Sequence, residues 1–198
     1  MKNRKYRGAI IISSRMISYA AAFAALYLIL SYIPSLIFGS LLRGSDAHLV
    51  RAVLMAILAT RFTTYGGPSL MGLISGLLLL GIPAPAAFLY FPGSLVAGVV
   101  YDASLRVGNY GKAARKRRRI ILSSILAGIA ESSIVTAGFF LIGFPFQEIV
   151  YRLALGGFEP GIGGIWLYSV GKNVIMSIVG GSVAIYLIPR LARHRSFS

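Results

Sequence analysis

The chain has 198 residues, 57% of them hydrophobic, with no cysteine and a formal net charge of +15; its mean hydropathy is +0.78. Soluble domains are usually about 45–50% apolar, so the composition predicts one membrane domain over residues 1–198 and leaves no room for a soluble catalytic domain. Without cysteine there is no disulfide framework, thiolate metal site or thiol nucleophile.

A basic start (Lys2, Arg4, Lys5, Arg7, Arg15) precedes an apolar run from Met16 to Phe38. That run is longer than the roughly 7–15 residues of a signal core. It predicts a retained first helix, long enough at ~1.5 Å per residue to cross a ~30 Å hydrocarbon layer. Gly39–His48 reads as a polar loop, with Asp46 placed to cap the second helix. That helix is predicted over 49–62 and the third over 69–80, with a turn at Gly66-Gly67-Pro68 between them. Pro83 and Pro85, which lack a donor, force a tight turn, and a fourth helix is predicted over 86–101. Asp102–Arg119 reads as the one long basic connection. A fifth helix over 120–142 leads to a mixed polar and apolar segment at 143–164, read as a short amphipathic piece lying over the outer face. The sixth helix is predicted over 165–188, stopped by Pro189.

The basic residues fall in every second gap of this series. Of the 20 lysines and arginines, the exceptions are Arg43 and Arg152 in the other gaps, and Arg51 and Lys172 inside or beside apolar segments. Cytoplasmic loops retain Lys and Arg, so the pattern predicts an all-α, six-helix, multi-pass protein of the cell membrane with both termini cytoplasmic. The charge is then explained by topology and contact with anionic headgroups, which argues against a nucleic-acid partner.

Membrane helices associate where small residues let backbones approach. The first helix carries overlapping pairs Ala20/Ala24 and Ala21/Ala25; Gly72/Gly76 and Ser94/Gly98 repeat the spacing on the third and fourth. The glycine and serine pairs predict packing within the chain. The alanines suit either internal packing or docking of another membrane protein.

Ionisable groups in hydrocarbon need partners or water. Glu131 falls near the middle of the fifth helix, and Lys172 with Asn173 at a comparable depth in the antiparallel sixth. They are expected to meet, either as a structural Glu131–Lys172 ion pair or as the lining of a polar pocket. Tyr168 lies one turn before Lys172, and Ser169 and Ser177 flank Asn173 at i−4 and i+4. Trp166 and Tyr168 fit an interfacial aromatic belt or a surface on which a flat ligand stacks. Arg51 and His48, near the start of the second helix, are placed to face the same outer cavity.

No G-x-S-x-G, H-E-x-x-H, P-loop or two-metal acidic cluster occurs, so neither catalysis nor a bound metal is expected. His48 alone is a poor nitrogen-ligand set for cobalt or nickel.

Three stretches, Ala20–Pro34, Gly66–Leu80 and Gly171–Leu187, resemble the substrate-binding S component of energy-coupling factor (ECF) vitamin transporters. They match in turn the family's alanine-rich first helix, its Gly/Pro-led third-helix region and its last helix, where polar Lys/Asn precedes small residues. The resemblance implies an outward-facing pocket for a micronutrient. It also implies docking through Ala20, Ala21, Ala24 and Ala25 onto a transmembrane T component, and two cytoplasmic ATPases that use ATP, with no cofactor in this chain. The pocket residues would be Glu131, Lys172, Asn173, Tyr168, Trp166, Arg51 and His48. Their mixed charges suit a small polar or zwitterionic organic molecule such as a thiamine-type pyrimidine precursor. One departure from the family is that the fourth helix is poor in polar groups. The competing expectation is a membrane scaffold or assembly subunit with a closed interior and no small-molecule ligand.

Overall fold

A computed structural model describes residues 12–38, 45–62, 64–81, 87–107, 109–142 and 162–193. Among them the regular structure is all helical: α1 (Ser14–Phe38), α2 (Ser45–Phe62), α3 (Gly67–Leu80), α4 (Ala87–Arg106), the single turn α5 (Tyr110–Ala113), α6 (Arg117–Ile142) and α7 (Ile162–Arg193).

The six long helices lie where the apolar runs placed them, but most extend beyond those runs. Helix α2 begins at Ser45, so Asp46 lies in its first turn rather than in a preceding loop. Helix α4 continues to Arg106 and takes in Asp102, which the sequence assigned to the basic connection. Helix α7 runs through Pro189 to Arg193 instead of stopping there. A proline removes one donor from a helix, and packing against neighbours tolerates that loss near a helix end. The expected tight turn around Pro83 and Pro85 lies outside the described residues, as do Arg43, Arg152 and all of the expected amphipathic segment 143–164 except 162–164, which belong to α7.

Among the described residues, four helices carry stretches long and apolar enough to cross a membrane: Ser14–Ser31, Phe88–Arg106, Arg117–Leu141 and Gly163–Leu191. Helix α3 is apolar but has only 14 residues, about 21 Å at the usual rise. Helix α2 has 18 residues and carries Asp46, Arg51 and Arg61, too much charge for a lipid-facing span. The packing accounts for this. The long helices contact in a closed order α1, α2, α7, α6, α4, α3 and back to α1, while α2 also touches α3, α4 and α6. Its Ala52, Leu54, Met55, Ala56, Leu58 and Ala59 are buried. The most polar helix is thus the one most enclosed by protein. Leu26, Ile29 and Leu30 on α1 and Leu167, Ile175 and Ile178 on α7 face outward, as lipid contact requires.

The small-residue pairs on α3 and α4 pack within the chain, as expected, with Gly72 against Ser94 and Gly98. A side-chain carbon added at Gly72 would strike the Ser94 carbonyl, and one at Gly76 would lie 3.0 Å from the Phe91 carbonyl. The turn before α3 depends on Gly66, whose φ of 116° disfavours residues with a side chain. On α1 the alanine pairs divide. Ala20 and Ala24 are fully buried in the core, which corrects their assignment to a docking face. Ala21 is half-buried and Ala25 exposed. Adjacent helical positions differ by about 100°, so both pairs cannot face outward together.

Candidate functional site

The first turns of α2 bring His48 and Arg51 inward, and Arg51 organises a polar cluster at the centre of the bundle. Its Nη1 pairs with Glu131 Oε1 of α6. Its Nη2 donates to the Tyr27 hydroxyl of α1 and to Ser94 Oγ of α4 at 3.1 Å. The guanidinium also lies 4.5 Å from the Tyr27 ring centroid, within cation–π range. His48 Nδ1 sits 3.2 Å from Glu131 Oε2. Four helices therefore converge on one cation, and both Arg51 and Glu131 are only 4% exposed.

The expected Glu131–Lys172 pair does not form, because Glu131 turns to Arg51 and His48. The predicted depth was sound and the predicted direction was not. Asn173 Nδ2 donates to Ser132 Oγ, next to Glu131, so α6 and α7 are aligned in height. Gly128 of α6 lies against the Asn173 carbonyl and Ser177 of α7. With Asn173 on the contact face, Lys172 is rotated about 100° away, where it is half-buried.

The other expected site residues are more dispersed. Trp166 is 41% exposed and its indole N–H donates to Ser133 Oγ at 3.1 Å. Tyr168 is half-buried one turn from Lys172. The structure thus unites Glu131, Arg51 and His48, holds Asn173 on Ser132 of the same helix as Glu131, and leaves Trp166 outside the Arg51 contacts. The sequence reading missed Tyr27, Ser94 and Ser132. Tyr27 carried a usable signal, since a tyrosine at mid-helix rather than in the interfacial belt calls for a buried hydroxyl partner.

The void beside the cluster is lined by His48, Arg51, Tyr101, Ser124, Glu131 and Ser177, among others, and measures about 10 Å³, room for about one water. Arg51 Nε and Asn173 Oδ1 are buried with no hydrogen-bond partner among the described residues. Such atoms carry an unmet polar demand. No group of three or more His, Cys, Asp or Glu suited to a metal ion occurs among the described residues.

A second polar cluster lies at the basic end. The Asp102 carboxylate of α4 accepts from the Ser69 backbone N–H at 2.8 Å, from Ser69 Oγ at 2.5 Å and from the Tyr110 hydroxyl at 2.6 Å. It caps the start of α3 and anchors α5 together. Burial, and then the Asp102 charge, hold the Tyr110 phenol above its ordinary range. Nearby, Tyr65 packs edge-on to Tyr110, and the Arg106 guanidinium lies 5.4 Å from the Tyr65 ring centroid.

Compared with family models, curated proteins and solved structures, the chain matches none.

Proposed function

We propose that the chain is the membrane-embedded solute-binding subunit of an ECF-type importer for a small organic micronutrient. The observation that carries this reading is the buried Arg51–Glu131–His48 cluster with its unmet polar atoms. Ionisable groups inside an apolar helix bundle are costly and mark functional sites by default. A purely structural ion pair gains little over apolar packing, because desolvation offsets its attraction. The mixed charge of the cluster suits a polar or zwitterionic solute of thiamine or pyrimidine type. In this reading the bundle crosses the cell membrane six times. The basic end is cytoplasmic, and solute arrives from the opposite end, where α2 begins. A T component docks on the exposed side of α1 around Ala21 and Ala25, and two partner ATPases supply the energy.

A second reading is a membrane scaffold that holds no ligand, and the size of the central void favours it. Small-molecule pockets usually span about 300–1,000 Å³, far above the void beside Arg51. Under the transport reading the outer ends of the helices must part to admit solute. Native mass spectrometry on protein purified gently from cells separates the two. A co-purified small molecule, released by Arg51→Met, supports transport. No adduct, and no thermal shift across a vitamin panel, supports the scaffold.

A further inference from the structure

A cavity larger than the central void lies away from the central cluster, at the basic end. It measures about 130 Å³ and is lined by Thr60 of α2, Arg115 in the turn before α6, Arg117 at the start of α6, and Ile120, Ile185 and Ile188, with Ala114 and Pro189 completing it. Its floor is apolar and its two cations are exposed. Among the described residues no acidic side chain lines it. Asp102, the acidic side chain described near this end, is already committed to Ser69 and Tyr110.

We infer that this cavity is a binding site for one anionic phospholipid, with the phosphate held by Arg115 and Arg117 and the first acyl carbons packed against Ile120, Ile185 and Ile188. Three observations select that ligand. Each of the two guanidiniums lining the cavity has the fork geometry that recognises phosphate, and no acidic side chain among the described residues lines it beside them. The apolar volume is close to the ~150 Å³ of a dry cavity that takes up benzene. It therefore suits hydrocarbon, and is too small for a helix of another protein. The outer surfaces of α6 and α7 nearby expose Leu122 and Leu191, so hydrocarbon can continue from the cavity into the bilayer. Basic pockets between membrane helices hold anionic headgroups by this combination. The inference needs only that the chain lies in a bilayer, and so stands or falls apart from solute transport.

The test is native mass spectrometry of the full chain in neutral detergent, titrated with phosphatidylglycerol, with phosphatidylcholine of the same chains, and with inorganic phosphate. Phosphatidylglycerol is expected to give a single saturable adduct, phosphatidylcholine a much weaker one, and phosphate none. Replacing both Arg115 and Arg117 by Ala is expected to weaken phosphatidylglycerol roughly 30-fold, at about 1 kcal/mol per basic residue. Replacing Lys116 and Arg118 by Ala removes equal charge outside the cavity and is expected to change binding at most a few-fold. Ile185→Trp fills the cavity and is expected to abolish the adduct with both arginines in place. Thermal unfolding reports whether each variant folds. If Ile185→Trp does not fold, the two surface double variants decide alone. Equal loss in both would mean diffuse attraction and would overturn the site. So would competition by inorganic phosphate at the lipid's own concentration, which would mark a headgroup-only anion site, or a folded Ile185→Trp that still binds.

Discussion

Arg51 of α2 and Glu131 of α6 form an ion pair at the centre of the bundle, and Tyr27 and Ser94 bind the same guanidinium from α1 and α4. Breaking one side of a buried pair leaves an uncompensated charge, which costs about 3–5 kcal/mol. Glu131→Gln should therefore lower thermal stability in detergent sharply. The double variant Arg51→Met, Glu131→Leu should recover most of it, since apolar replacement of a whole buried pair is often neutral or stabilising. A double variant that folds but no longer holds the co-purified solute would assign the pair to binding. One that keeps the solute would count against the proposed site.

Gly98 of α4 faces the chain of α3, where an added side-chain carbon would meet the Pro68 carbonyl and lie 3.0 Å from Ser69 Cα. Backbone cannot rotate out of the way, so Gly98→Ala should cost about 1–3 kcal/mol or more as overpacking. Gly171→Ala is the matched control, because nothing lies within 4 Å of its added carbon. Helix propensity predicts that it gains up to about 1 kcal/mol. Unfolding midpoints of the two variants, measured side by side, should move in opposite directions.

Ala24 is fully buried while Ala25, its neighbour, is exposed. Ala24→Trp should prevent folding, seen as loss of the monodisperse peak in size-exclusion chromatography. Ala25→Trp should leave fold and solute binding unchanged. Under the transport reading it should block co-purification of the T component, and assembly at the wild-type level would remove this face from the docking surface.

Tyr110 donates to Asp102, and its phenol is held above its ordinary range by burial first and the carboxylate second. Above the unfolded phenol's value of about 10, the unfolded chain releases this proton and the folded chain keeps it. Stability should then fall with rising pH, by up to about 1.4 kcal/mol per unit from this group. Below pH ~10 the contribution is fully present. Tyr110→Phe should be less stable at neutral pH by about 1.5–3 kcal/mol, the usual worth of a hydrogen bond to a charged group. It should also show a shallower alkaline decline; identical slopes in the two proteins would refute the assignment.

The helix axes were legible in the sequence because long apolar runs between charged gaps leave little choice of where a helix lies. Their ends were less legible. Asp102 and Pro189 read as breakers, yet both sit within helices, where the Ser69 and Tyr110 contacts and the packing of α7 absorb them. The depths of Glu131 and Asn173 were also legible, since about 1.5 Å per residue fixes height along an axis.

Composition and charge spacing alone determined that this is an apolar, all-helical chain suited to a membrane, and which end of the bundle is basic. Only the tertiary structure decided direction around each axis: Arg51 rather than Lys172 against Glu131, Ala20 and Ala24 inward, and α2 enclosed. The reason lies in the helices themselves. A helix that is apolar all round has no stripe to show which face turns inward, so its rotation is set by neighbours the linear sequence does not identify.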